Sequence, residues 1–226
     1  MIEYGVGVED GMVKNFRTPS GDIHDWINGM NKNSVTRLFL PGLTADHRLF
    51  EKQISYFENK YNVFVWDAPG HGSSWPFRFD FDLMDKARWL NEIIELEGIT
   101  YPVIVGQSMG GYVGQAYAEL YPEKLKGFVS IDSAPLQRKY VTGIEIWLLK
   151  KREPIYYYYP WKSLLKSGTK GAAISEYGRK LMHDIMMVYD GEKTICAIIW
   201  AWIYDARCNG KRFALLNQVS GVADMR

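Results

Sequence analysis

The residues Val103-Ile104-Val105-Gly106-Gln107-Ser108-Met109-Gly110-Gly111 decide how this chain is read. A short apolar run ends in Gly-x-Ser-x-Gly, and a helix-like run, YVGQAYAELY, follows from Tyr112. A serine on a tight strand-to-helix turn is lifted above the sheet edge, and the flanking glycines Gly106 and Gly110 avoid steric clashes there. The same turn places the next backbone N–H, that of Met109, where it can donate to a developing oxyanion. Glycine and serine are common, so the spacing alone is weak. The apolar strand before it and the helix after it supply the context that makes Ser108 a candidate nucleophile. A structural glycine turn is the plain alternative.

Working upstream, RLFLPGLTADHRLF (37–50) reads as strand, glycine turn and helix, and the Leu43 N–H is the candidate second oxyanion donor. Two strand candidates, DIHDWINGM (22–30) and SVTRLFLPG (34–42), are separated by a turn-rich stretch. Leu49, Phe50, Ile54 and Phe57 are spaced for one helix face, with Asp46 available as its cap. YNVFVWDAPG (61–70) is a buried strand running into a Gly/Pro loop, and DLMDKARWLNEIIELEG (82–98) is an amphipathic helix closed by Gly98. Downstream, LKGFVSIDSAP (125–135) supplies another strand. Strands that are apolar throughout and alternate with helices predict an α/β fold: a doubly wound, mostly parallel sheet covered on both faces.

From about Pro135 the texture changes to helices rich in aromatic residues and methionine, as in ISEYGRKLMHDIMMVY (174–189). The reading is a core over 1–135, a helical cap over 136–198 above the sheet's C-terminal edge, and an atypical tail over 199–226. The cap's aromatics either line a pocket or form the core of an ordinary helical subdomain.

Composition bounds the function. A formal net charge of +1 gives no reason to expect nucleic acid or an anionic membrane as partner. Cys196 and Cys208 make no disulfide framework, the opening MIEYGVGVEDG lacks a signal-peptide pattern, and no apolar run approaches a membrane span. A cytoplasmic protein is expected. There is neither a metal-binding cluster nor a phosphate-binding glycine loop, so no metal or cofactor is implied, and the partner is a small-molecule substrate.

Taken together, FLPGLTADHRLF, VFVWDAPGHGSS and VIVGQSMGGYVGQAYAELYPEKLKGFVSIDSAP resemble the α/β-hydrolase superfamily in order and spacing over roughly 20–135. They are similar to small esterase-like and C–C hydrolase members with a helical cap. The resemblance implies Ser108 as nucleophile and Leu43 and Met109 as backbone oxyanion donors. Pro41 stands where many members have histidine, which need not harm a hole built from backbone N–H groups. Asp67 and His71, in DAPGHGSS, match a common family loop and are read as loop-shaping.

The family order places an acid and then a histidine on later loops, and an activated serine needs an imidazole within hydrogen-bond reach. The chain has four histidines, His24, His47, His71 and His183. Three precede Ser108 and the fourth lies in the helical insertion, so none stands where the pattern requires. Asp132, ending a strand near the active edge, is a weak acid candidate with a capping or loop role as its alternative. The segment from Ile199 shows no return to the sheet. Shifted by one base, its codons permit a reading that contains the strand-like IKCPVWLIC, with Trp200 and Trp202 fixing the glycines of a Gly-His-Gly. The tail is therefore read as a frameshifted truncation. Loss of later strands would expose LKGFVSID as a sheet edge, which a homodimer could cover.

Two functions from different classes follow. One is a serine hydrolase cleaving a small or medium, partly apolar carboxylic ester. The other is a catalytically incomplete relative that binds ligand without turnover. A nucleotide-binding protein is a distant third, because GQSMGG lacks the Gly-x-Gly-x-x-Gly spacing.

Overall fold

The computed structural model describes residues 12–28, 34–78, 80–133, 135, 160–187 and 189. Six strands form one sheet: β1 (Met12–Thr18), β2 (Gly21–Ile27), β3 (Thr36–Leu40), β4 (Asn62–Trp66), β5 (Val103–Gln107) and β6 (Gly127–Ile131). Their order is β1-β2-β4-β3-β5-β6. The last four run parallel, while β1 and β2 form an antiparallel hairpin whose second strand joins β4. The fold is α/β and mostly parallel, as the sequence implies. The turn-rich stretch after β2 does not close a hairpin onto β3, because β4 lies between them.

Helix α1 (Glu51–Phe57) follows a 3-10 turn at His47–Phe50, α2 (Leu83–Leu96) precedes β5, and α3 (Met109–Leu120) follows it. α2 begins at a reciprocal cap: Asp85 N–H donates to the Asp82 carboxylate at 3.0 Å, and Asp82 N–H donates to Asp85 at 2.9 Å. It ends where Gly98 adopts a φ of +65°, a conformation that glycine takes without steric cost. Every residue of β4 is buried, because both sheet faces are covered. On one face Ile23, Leu38, Leu40, Phe64 and Trp66 pack against Leu90 of α2 and Val113 of α3. On the other, Phe39, Val63 and Val65 pack against Phe50 and Ile54.

Within the region read as a cap, α4 (Trp161–Ala172) and α5 (Glu176–Met186) are described. Met182 and Ile185 of α5 pack on Ala45 and Leu49, and the Gly72 N–H donates to the Tyr189 hydroxyl at 3.3 Å. The helical region thus rests on the loops after β3 and β4. No helix among the described residues is long and apolar enough to cross a membrane. The tail over 199–226 lies outside the described residues.

Candidate active site

β5 delivers Ser108 to the sheet's C-terminal edge with φ 49° and ψ −116°, a backbone conformation that costs energy for any residue with a side chain. The turn is held on both sides. Ser108 N–H donates to the Ile131 carbonyl at 2.8 Å, and the Ser108 carbonyl accepts from Gly111 N–H at 2.9 Å and Tyr112 N–H at 3.3 Å. Serine at the N-cap of a helix ordinarily accepts a backbone N–H through its hydroxyl. Ser108 occupies the N-cap of α3 and makes no such bond. Its hydroxyl is not spent on the helix.

The two motif glycines are required by close approach. A Cβ at Gly106 would lie 2.6 Å from Gly111 Cα, and one at Gly110 would lie 2.7 Å from the Pro41 carbonyl oxygen. The loop after β3 therefore touches the first turn of α3. In that loop the Ala45 N–H donates to the Gly42 carbonyl at 3.2 Å, and Thr44 takes a φ of +61°. Among the described residues, neither the Leu43 nor the Met109 N–H enters the fold's own hydrogen bonding.

The four histidines are placed elsewhere. His47 N–H and Nδ1 approach Asp67 Oδ1 at 2.8 and 3.0 Å, and the His47 ring lies 3.9 Å from that of Trp26. Trp26 is on β2, three strand positions from β5, a lateral separation of about 14 Å. The pair has the form of an acid orienting an imidazole, and among the described residues its imidazole contacts are to Asp67 and Trp26, not to Ser108. His71 is buried, with Nδ1 3.1 Å from the Pro69 carbonyl oxygen and Nε2 without a partner among the described residues. Burial first, and then the nearby Lys86 ammonium, lower its pKa to about 4, so it is neutral. His24 sits in β2 with a buried Nδ1 that has no partner among the described residues. His183 is on α5 beside Asp184, Nδ1 to Oδ1 at 3.4 Å. None of the four hydrogen-bonds to Ser108 among the described residues.

Asp132 is exposed at the end of β6, with a φ of +53°. Asp46, His47 and Asp67 have ligand atoms within 4.8 Å of one another. Those oxygens already accept protein donors: Arg48 Nη2 to Asp46 at 2.6 Å, and Ser73 N–H to Asp67 at 2.7 Å in addition to His47. The cluster is a tie between the loops after β3 and β4, which agrees with the loop-shaping reading of Asp67.

Two neighbours of the elbow carry no sequence signal. Lys86 is buried on α2, with Nζ 3.9 Å from Met109 Sδ. Its place in an amphipathic helix pattern suggests a solvated face, and only tertiary packing draws it inward. Ser133 donates its hydroxyl to the Ser108 carbonyl at 2.8 Å. A lone serine after a strand cannot be told from a loop residue in sequence.

A family model described as alpha/beta hydrolase fold matches residues 38–149. The chain is 29% identical over 136 residues to Lipase 3 of Moraxella sp. (strain TA144), a match covering 59% of this chain and 43% of that protein. It is 31% identical over 101 residues to 3-oxoadipate enol-lactonase 2 of Acinetobacter baylyi, covering 43% of this chain and 36% of that protein. Both matches span less than half the length of the relative. Its fold is shared with a hydrolase from Pseudomonas aeruginosa at a TM-score of 0.69 and 14% identity, covering 84% of this chain and 71% of the other.

Proposed function

We propose that this chain, which belongs to the α/β-hydrolase superfamily, is a serine hydrolase acting on a small or medium, partly apolar carboxylic ester. One observation carries the reading. Ser108 holds a costly backbone conformation at a helix N-cap and does not cap, and among the described residues the Leu43 and Met109 N–H groups enter no hydrogen bond. Strain of this kind is kept where the surrounding structure enforces it for a purpose. In the proposed reaction the Ser108 hydroxyl adds to the ester carbonyl. The resulting oxyanion is received by the Leu43 and Met109 N–H groups, the alcohol leaves, and water hydrolyses the acyl-enzyme. The ester class is supported by relatives named as a lipase and a lactonase. The helices over 160–187 act as the cap, and a cytoplasmic location is part of the same proposal.

A second reading has its own support. Among the described residues none of the four histidines hydrogen-bonds to Ser108, so the proposed nucleophile has no imidazole base there. A catalytically incomplete, ligand-binding relative would look the same. Ester turnover that is lost in Ser108→Ala separates the two, because the incomplete relative binds without turnover. We also propose a homodimer through β6, the outermost strand of the described sheet, where Val129 and Ile131 are 47% and 42% exposed. Sedimentation as a monomer at high concentration would remove that proposal.

A further inference from the structure

We propose that Ser133 is a positioning residue for the oxyanion site, acting through the peptide that joins Ser108 to Met109. The inference rests on the reading of Ser108 as nucleophile and Met109 N–H as oxyanion donor.

The chain reverses at the end of β6. Asp132 takes a φ of +53°, a left-handed conformation that aspartate tolerates better than most residues, and this turn carries Ser133 back over β5. The Ser133 hydroxyl lies 2.8 Å from the Ser108 carbonyl oxygen and 3.2 Å from the Ile131 carbonyl oxygen. It has a single proton, and the shorter contact is to Ser108. Ile131 in turn accepts the Ser108 N–H at 2.8 Å. The loop after β6 therefore grips the nucleophile's backbone at both its N–H and its carbonyl.

The Ser108 carbonyl and the Met109 N–H are two ends of one planar peptide. A donor at the oxygen fixes that plane and polarises the unit, which makes the N–H at the other end a better donor. The Ser133 hydroxyl thus aims and strengthens the group that would hold the oxyanion, without touching substrate. Gly111 makes the approach possible: a Cβ there would lie 2.7 Å from Ser133 Cβ. The second glycine of the Met-Gly-Gly run is room for Ser133.

The experiment compares the wild type with Ser133→Ala, Ser133→Thr and Gly111→Ala by two readouts. The first is the amide proton shift of Met109 by NMR. The second is the rate of Ser108 modification by a fluorophosphonate. Ser133→Ala is expected to move the Met109 amide upfield and to slow labelling about five- to ten-fold, the scale of one neutral hydrogen bond. The melting temperature stays nearly constant, and Ser133→Thr, which keeps the hydroxyl, restores both readouts. Gly111→Ala displaces the hydroxyl without removing it and is expected to reproduce both changes, which covers the case of a Ser133→Ala chain that does not fold. A Met109 amide that does not move in either variant overturns the inference, as does labelling that is unchanged while the amide moves. If the wild type takes no label at Ser108, the hydrolase reading fails, and the amide shift still decides whether Ser133 polarises the peptide.

Discussion

The His47 imidazole is held by Asp67, Nδ1 to Oδ1 at 3.0 Å, and packs against Trp26 with ring centroids 3.9 Å apart, with no hydrogen bond to Ser108 among the described residues. The pair therefore ties two loops together instead of activating the serine. His47→Ala should leave fluorophosphonate labelling of Ser108 within about two-fold, whereas removing a working imidazole base costs roughly 10²–10⁴-fold. A folded His47→Ala chain whose labelling collapses would place His47 in the chemistry.

Because none of the four histidines hydrogen-bonds to Ser108 among the described residues, its labelling should lack an imidazole signature. The rate is expected to climb with hydroxide, about ten-fold per pH unit, with no inflection near the ordinary histidine pKa of ~6.5. A plateau above that inflection, measured by intact mass at a series of pH values, would mean that an imidazole reaches Ser108.

Gly110 faces the carbonyls of Leu40 and Pro41 so closely that a methyl group must push β3 away from α3. Gly110→Ala should cost about 1–3 kcal/mol in denaturant unfolding, the usual price of overpacking, and should remove Ser108 labelling. A variant that is equally stable and equally reactive would show that the elbow tolerates the displacement.

Much of this site was legible in the sequence. The strand before Ser108, the helix after it and the glycine spacing were all local signals, and β2 to β6 with their helices follow apolar runs that tertiary packing preserves. β1 was missed, since MVKNFRT mixes charge and apolar residues as an exposed edge strand does. Lys86 and Ser133 were missed for another reason. Their roles arise from contacts between elements distant in sequence, Lys86 with Met109 and Ser133 with Ser108, and no spacing along the chain records them. The same holds for Asp67, whose loop-shaping role was expected but whose partner, His47, was not.

Asp25 and His71 titrate in opposite directions. Asp25 faces Trp66 across the strand pair, and each carries a buried polar atom, Oδ2 and Nε1, without a partner among the described residues. Burial, then the Glu97 carboxylate, raise the Asp25 pKa from 3.8 to about 7, against the opposing Lys14. Folded Asp25 holds a proton that the unfolded chain releases, so its contribution is full below about pH 4 and is lost as pH rises through about 7. His71 is the reverse. Its pKa falls from 6.5 to about 4, so its contribution is present above 6.5 and is lost as pH falls through about 4. The two offset each other in that window. Asp25→Asn removes one side, so its stability relative to the wild type should rise between pH 4 and 7, with a slope of at most about 1.4 kcal/mol per pH unit. Parallel wild-type and variant melting curves across that range would refute the assignment.

The proposed function turns on Ser108 acting as a nucleophile. Intact-mass analysis of the purified 226-residue chain after fluorophosphonate treatment tests it most directly, with Ser108→Ala alongside. The expected result is a single added label on the wild type that maps to Ser108 and is absent from the variant. A folded wild type that takes no label, or a variant that labels equally well, would contradict it.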